Sequence, residues 1–283
     1  MIRLGDIEYS NCFPVHARLI DEGPPAGVSL VRGTPGELNA ALAAGRVDVA
    51  PCSSIEYARH ADRYVLLPDL AIASVGAVGS ILFESRVPTA ALDGRTIAVP
   101  TASATSVVLL RALLEQREGI RPSYRWFDQR AGDPIGSDTA AALWIGDVAL
   151  RRAPGAGHVV TDLGRAWTDW TGLPFVYALW QARRSPAHAK AYGRLQRELI
   201  ASRAWFEQNA EVLAGRHAAR FGMAPDRLLR YWRSLRYDLD ARLEEGLVRF
   251  WECAVRLGEA PAVPALEWIE PARGPQRDAG IDG

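Results

Sequence analysis

Apolar runs alternate with helical patterns along the first part of the chain. Strands are predicted at residues 2–9, 28–31 and 47–50, and helices at residues 13–20, 34–45 and 55–61. The second helix has a clear start signal, because Thr34 can cap it, Pro35 suits its first turn and Glu37 can complete a capping box. Strands that alternate with helices in this way indicate a parallel sheet with helices on its faces.

Two apolar segments, 64–73 and 75–83, follow without a helix between them, and both are predicted to be strands. Further strands are predicted at residues 96–99, 124–127, 141–145 and 175–181, and a further helix at residues 107–116. From Pro186 onward the apolar positions follow helical spacing. Residues 261–283 contain several prolines and glycines and are predicted to be partly disordered.

The two sets of strands and helices predict an α/β chain with two lobes and a ligand cleft between them. Residues 1–86 and 177–283 are predicted to form the first lobe, and residues 87–176 the second. Ligands of open α/β sheets bind at the carboxyl ends of the strands. The loops that follow the strands are therefore where candidate functional residues are expected.

The composition argues against a nucleic-acid-binding protein and against a membrane protein. The chain has 283 residues with 33 basic and 33 acidic side chains, so it has no charge surplus that would favour nucleic acid or an anionic membrane. No apolar run reaches the ~20 residues of a membrane-spanning helix. The first strand begins at Ile2, without a signal peptide before it, so we expect a cytoplasmic protein.

The three cysteines, Cys12, Cys52 and Cys253, are odd in number and lack the spacing of a zinc site. This argues against a disulfide framework and predicts no bound metal. Cys12 could be a nucleophile only with a suitably arranged histidine, and the sequence indicates no such arrangement.

The predicted junctions between strands and helices are rich in hydroxyl groups and poor in charge. The candidate site residues are Ser10, Asn11, Thr34, Ser53, Ser54, Ser80, Ser103, Thr105, Ser106, Gly146 and Asp147. Ser10 and Asn11 have a simpler explanation as caps of the first helix. Several such junctions in both lobes nevertheless favour a cleft that holds carboxylates by hydroxyl and backbone N–H groups. Phosphate-loop, dinucleotide-binding and nucleophile-elbow motifs are absent from the sequence.

The segment Ile7–Pro14 reads Ile-x-Tyr-x-Asn-x-x-Pro and resembles the amino terminus of the chorismate dehydratases of the futalosine route to menaquinone (the MqnA type). Further matches are Thr34-Pro35, Pro51-x-Ser-x-x-Glu56, Thr105-Ser106-Val107 and Ile145-Gly146-Asp147-x-Ala-Leu150. The most specific match comprises Asp162-Leu163-Gly164, Trp167 and Trp170-Thr171-Gly172-Leu173-Pro174-Phe175-Val176. The resemblance covers residues 2–184 well and the C-terminal helices loosely.

This resemblance implies the two-lobed fold of type II periplasmic binding proteins. It also implies a lyase that converts chorismate into 3-[(1-carboxyvinyl)oxy]benzoate and water, without a metal or an organic cofactor. We predict that Asn11 and Ser80 are catalytic and that the other candidate site residues bind the substrate.

Serine, threonine and asparagine are not basic near neutral pH, so we expect the enolpyruvyl carboxylate of chorismate to remove the C3 hydrogen itself. Asp6, Glu8, His16 and Asp147 are the side chains that could overturn this expectation. The alternative function is a non-catalytic solute-binding module of the same fold, which predicts a signal peptide or a lipidated cysteine near the start. A transcription-regulator effector domain would require a helix-turn-helix segment before the first strand.

Overall fold

The computed structural model describes residues 1–269, which form two five-stranded sheets with helices packed against them. The strands are β1 (Ile2–Ile7), β2 (Val28–Gly33), β3 (Val49–Ser53), β4 (Tyr64–Ser74), β5 (Ile81–Ser85), β6 (Thr96–Pro100), β7 (Ser123–Phe127), β8 (Ala141–Ile145), β9 (Val159–Asp162) and β10 (Phe175–Arg183). The helices are α1 (Phe13–Asp21), α2 (Pro35–Ala43), α3 (Ser54–Arg59), α4 (Thr105–Arg111), α5 (Gly146–Arg151), α6 (Leu163–Thr171), α7 (Ala189–Phe221), α8 (Pro225–Ser234) and α9 (Ala241–Arg256). A π-helical stretch, Ala112–Arg117, continues α4.

Each sheet combines parallel strands with antiparallel ones. The first sheet has the order β2-β1-β3-β10-β4. In this sheet β1 runs parallel to its neighbours β2 and β3. β10 runs antiparallel to its neighbours β3 and β4. The second sheet has the order β7-β6-β8-β5-β9. In this sheet β6 runs parallel to its neighbours β7 and β8. β5 runs antiparallel to its neighbours β8 and β9. β5 and β10 are the strands by which the chain enters the second sheet and returns to the first.

The prediction of a strand over residues 75–83 is wrong in its first half, because only Ile81–Ser85 forms a strand. Gly76 and Gly79 have φ angles of +78° and +72°, which interrupt the extended backbone. The carboxylate of Asp162 accepts the N–H groups of Val78 and Gly79 and so holds this loop in place.

The predicted first lobe, residues 1–86, includes β5. In the structure, however, β5 pairs with β8 and β9 of the second sheet. We propose instead that residues 81–171 form the second lobe. The chain then passes between the lobes at residues 75–80 and 172–174, which lie outside both sheets.

Local sequence signals explain the start of α2 but not that of α1. The Thr34 side chain accepts the Glu37 N–H, and the Glu37 carboxylate accepts the Thr34 N–H, so the predicted capping box is confirmed. α1 has Cys12 at its N-cap position and no side-chain cap. The capping explanation for Ser10 and Asn11 is therefore wrong, and both side chains are available for another role.

The C-terminal helices pack against the first sheet and its helices: α7 contacts α1 and β4, and α9 contacts β10. The chain beyond α9 returns to β4, where the Ile269 N–H donates to the Leu66 carbonyl at 2.9 Å. The predicted disorder of 261–283 therefore does not extend to the packed residues before 270, and residues 270–283 lie outside the described part of the chain. Within residues 1–269, no helix is both long and apolar enough to cross a membrane.

Candidate active site

A cavity lies between the two sheets, where β1, β3 and β8 end, and its empty space of about 540 Å³ includes the mouth that opens to solvent. The polar residues that line it are Tyr9, Asn11, Ser53, Ser80, Ser103, Ser106, Tyr177 and Tyr231, and the remaining lining residues are apolar apart from Gly146. Across residues 1–269, no charged side chain lines the cavity, so a bound anion would be held by neutral donors.

Ser103 and Ser106 form a hydroxyl pair at the amino end of α4. The Ser103 hydroxyl donates to Ser106 Oγ at 3.0 Å and accepts the Ser106 N–H at 3.3 Å. A hydroxyl has one proton to donate and two lone pairs. Because Ser106 Oγ already accepts, and no protein acceptor for its proton is found among residues 1–269, Ser106 can donate to a ligand.

Asn11 carries an unpaired polar atom at the cavity. Its Oδ1 is buried and has no hydrogen-bond partner within residues 1–269, although the residue lines the cavity. An unpaired buried acceptor costs ~1–3 kcal/mol. This cost is recovered when a bound ligand supplies the missing donor.

Asp147 and Ser10 bind each other beside the cavity rather than lining it. The Ser10 N–H donates to both carboxylate oxygens of Asp147 at 3.1 Å, and the Ser10 hydroxyl donates to Oδ1 at 2.5 Å. Burial raises the pKa of the Asp147 carboxyl, and the hydrogen bonds from Ser10 only partly offset this rise. We therefore propose that these two side chains connect the loop before α1 to the start of α5 and do not contact the substrate.

Gly146 and Tyr9 make a close contact between the same two segments. Gly146 has a φ of +60°, and a Cβ at this position would lie 2.6 Å from Cδ2 of Tyr9. The Tyr9 hydroxyl accepts a hydrogen bond from Gln129 Nε2 at 3.3 Å, and Gln129 also bonds both backbone polar groups of Ile145. Only glycine permits this approach of the second sheet to Tyr9.

Three further predicted binding residues use their side chains for protein contacts and do not line the cavity. Thr34 caps α2. The Ser54 hydroxyl donates to the Val176 carbonyl at 2.8 Å, and Thr105 Oγ1 accepts the Ile55 N–H at 3.3 Å. These residues position the loops around the cavity. The predicted residues that do line it are Asn11, Ser53, Ser80, Ser103, Ser106 and Gly146.

The side chains considered as alternative bases also lie away from the cavity. His16 Nδ1 is 2.9 Å from Asp6 Oδ1, and Trp180 Nε1–H donates to His16 Nε2 at 3.1 Å. Nε2 therefore accepts, and the proton on Nδ1 is donated to Asp6. Neither residue lines the cavity, and Glu8 is exposed.

Cys12 lies against this pair, with Sγ 3.7 Å from His16 Nδ1, and the three side chains are close enough together to share one metal ion. A metal on Nδ1 would displace the proton while Trp180 still occupies Nε2, which would leave an imidazolate. The cluster therefore fits a metal poorly. Cys12 is also fully buried, so the histidine beside it does not make it an accessible nucleophile.

The sequence did not indicate that Tyr177 on β10, Tyr231 on α8 and Leu235 directly after α8 line the cavity. Tyr231 lies in a segment whose apolar spacing indicates only a helix packed on the core. Nothing in its local sequence indicates that its hydroxyl reaches the cavity.

Comparison with known proteins assigns the chain to a protein family. The sequence model of a family described as "Menaquinone biosynthesis" matches residues 2–256. The chain belongs to this menaquinone biosynthesis family. Within the family, it is 34% identical over 276 residues to the chorismate dehydratase of Thermus thermophilus, which covers 91% of this chain and 96% of that protein. It is 31% identical over 178 residues to the chorismate dehydratase of Campylobacter jejuni, which covers 62% of this chain and 64% of that protein. The predicted family is confirmed, and these relatives indicate that the family member described here is an enzyme.

Solved structures confirm the predicted fold of this family member. A protein from Archaeoglobus fulgidus superposes with a TM-score of 0.71 at 20% identity, covering 91% of this chain and 97% of that one. The periplasmic aliphatic sulphonate binding protein of Escherichia coli superposes with a TM-score of 0.63 at 17% identity, covering 93% and 94% of the two chains. At these identities the likeness concerns the fold alone, which is that of periplasmic binding proteins.

Proposed function

We propose that this enzyme is a chorismate dehydratase, a hydro-lyase that converts chorismate into 3-[(1-carboxyvinyl)oxy]benzoate and water. The observation that carries the proposal is the uncharged, hydroxyl-lined cavity in a chain that is 34% identical to a chorismate dehydratase over 91% of its length. Loss of water makes the chorismate ring aromatic, so the driving force lies in the substrate. The dehydration involves no net oxidation or reduction, and we propose no cofactor.

The proposed binding mode uses neutral hydrogen-bond donors for the two carboxylates of chorismate. Ser53 lines the cavity from the end of β3, and Ser103 and Ser106 line it from the amino end of α4. The amino end of α1 adds a partial positive charge beside Asn11. Fixed donors in a cavity that excludes water stabilise an anion more strongly than the same groups in water. Gly146 contributes its backbone to the same wall.

We assign the catalytic roles to Asn11 and Ser80. Removal of the C3 hydrogen places negative charge on the ring and its carboxylate, and departure of the C4 hydroxyl places charge on that oxygen. Asn11 offers the N–H groups of its side-chain amide as donors, and Ser80 offers a hydroxyl; both residues line the cavity. The unpaired Oδ1 of Asn11 can accept only from a donor such as the C4 hydroxyl of chorismate. Such groups stabilise charge that develops during the reaction, and the loss of one typically lowers the rate ~10²–10³-fold.

For the base, we propose the enolpyruvyl carboxylate of the substrate itself. Support comes from the cavity wall, to which residues 1–269 contribute no carboxylate or imidazole. A base tethered to the substrate gains effective molarity without a protein group. Replacement of Asp6 by Asn, or of Glu8 or His16 by Gln, should leave chorismate turnover in place in every variant that folds. Loss of turnover with chorismate still bound would identify that residue as the base.

The experiment that tests the function is incubation of the purified protein with chorismate, followed by mass spectrometry. The proposal predicts that chorismate is replaced, mole for mole, by a benzoate that is lighter by one water. A solute-binding module of the same fold would instead return chorismate unchanged, even where calorimetry detects binding.

A further inference from the structure

The hydroxyl groups of Tyr231 and Ser80 meet at the wall of the cavity. Tyr231 lies on α8, and Ser80 lies at the end of the loop that leads into β5. The Tyr231 hydroxyl donates to Ser80 Oγ at 2.9 Å, and both residues are buried and line the cavity. The bond therefore connects the C-terminal helices to the second sheet at the point where a ligand would bind.

We infer that Tyr231 is a positioning residue of the active site, because its hydroxyl donates to Ser80 and so directs the Ser80 proton into the cavity. This inference rests on the proposed function, in which Ser80 donates to oxygen atoms of the substrate that gain negative charge during the reaction.

The direction of the hydrogen bond follows from the surroundings of the two groups. Burial raises the pKa of the Tyr231 hydroxyl, so this group remains protonated and able to donate. Ser80 then uses one lone pair to accept and keeps its own proton. No protein acceptor for that proton is present among residues 1–269, and the open side of the hydroxyl is the cavity.

The backbone at Ser80 is held independently of Tyr231. The Ser80 carbonyl accepts the Gly146 N–H at 2.8 Å. Without the Tyr231 hydroxyl, the Ser80 side chain and its hydroxyl proton would be free to rotate. The backbone thus sets the location of Ser80, and Tyr231 sets the orientation of the Ser80 hydroxyl. This is the property expected of a residue that acts through another residue.

The test is a double-mutant cycle on chorismate turnover. Tyr231→Phe keeps the ring and removes the hydroxyl, and we expect kcat to fall about tenfold with a smaller change in KM, as for the loss of one directing hydrogen bond. Ser80→Ala should lower kcat by ~10²–10³-fold. The double variant should be no slower than Ser80→Ala alone, because Tyr231 has nothing left to direct.

Tyr237→Phe is the matched control. Tyr237 is a buried tyrosine close to α8 in sequence, its hydroxyl has no hydrogen-bond partner within residues 1–269, and it does not line the cavity. It should keep wild-type turnover. A comparison of melting temperatures between Tyr237→Phe and Tyr231→Phe separates the effect of losing a buried hydroxyl on stability from its effect on catalysis.

Two results would overturn the inference while leaving the proposed function in place. Either Tyr231→Phe turns chorismate over at the wild-type kcat, or the losses of the two single variants multiply in the double variant. Failure of the wild-type protein to consume chorismate would instead reject the proposed function, and this inference with it.

Discussion

Replacement of Gly146 by alanine tests whether the close approach of Gly146 to Tyr9 is needed for catalysis. A Cβ at Gly146 would lie 2.6 Å from Cδ2 and 2.9 Å from Cε2 of Tyr9. Because real Cβ atoms do not approach other atoms so closely, either the Tyr9 ring must move or the two segments must separate. Both outcomes disturb the cavity wall, since Gly146 and Tyr9 line it.

The cost of this substitution has two parts. The φ of +60° costs a non-glycine residue ~1–2 kcal/mol in any arrangement of the lobes. Movement of Tyr9 breaks its hydrogen bond to Gln129, at ~0.5–1.5 kcal/mol, and any steric overlap that remains adds to that cost. We therefore expect kcat/KM to fall by about tenfold or more, since ~1.4 kcal/mol corresponds to tenfold.

Gly172→Ala provides a control with the same backbone cost and no overlap. Gly172 has a φ of +71° at the end of α6, and its Cβ would meet no atom within 4 Å. Urea unfolding should show the backbone cost of ~1–2 kcal/mol in both variants, with a further loss in Gly146→Ala from the Tyr9–Gln129 hydrogen bond. The chorismate assay should show a loss of activity only in Gly146→Ala. If Gly146→Ala retains the kcat/KM of Gly172→Ala, the close approach to Tyr9 is not needed for catalysis.

Four further substitutions test three other features of the protein. Asn11→Ala should lower kcat ~10²–10³-fold without a matching loss of stability, and a variant that only melts earlier would assign Asn11 a structural role. Asp147→Asn and Ser10→Ala should each lower kcat/KM by about tenfold, because they weaken the same contact; a far larger loss in Asp147→Asn alone would make Asp147 the base. Burial alone would raise the pKa of Glu84, but hydrogen bonds from Arg152 and neighbouring groups outweigh it and lower the value to about 2 from an ordinary 4.5. The stability that Glu84 contributes is therefore present above pH 4.5 and lost as the pH falls towards 2. Glu84→Gln should remove this acid-dependent part of the free energy of unfolding measured in urea. An unchanged pH dependence in the variant would contradict the role given to Glu84.

The sequence predicted the fold where local signals and tertiary structure agree. The capping box at Thr34 and the buried apolar run of β8 are examples, since each is specified by a few adjacent residues. The predicted strand over residues 75–83 failed because the apolar pattern there is interrupted by Gly76 and Gly79 in left-handed conformations, and their loop is held by Asp162, far away in sequence. Short-range patterns do not reveal such long-range support.

The location of the candidate site was predictable from the sequence, but the contacts of each residue were not. The hydroxyl-rich junctions indicated a cleft for carboxylates, and Asn11 and Ser80 do line a cavity. Ser10 has the same local context as Asn11, yet its hydroxyl binds Asp147, which is 137 residues away in sequence. Tyr231 could not be identified, because its helix is placed against the cavity only by packing of the whole chain.

The central claim is that chorismate is held in the uncharged cavity by neutral donors, and a crystal structure of the Asn11→Ala variant with chorismate tests it most directly. The slow variant should retain the substrate, since most of the donors that line the cavity remain. We expect the ring to lie between the two sheets, with the two carboxylates of chorismate within hydrogen-bonding distance of Ser53, Ser80 or Ser106. Chorismate bound outside this cavity, or held there by arginine side chains, would contradict the account.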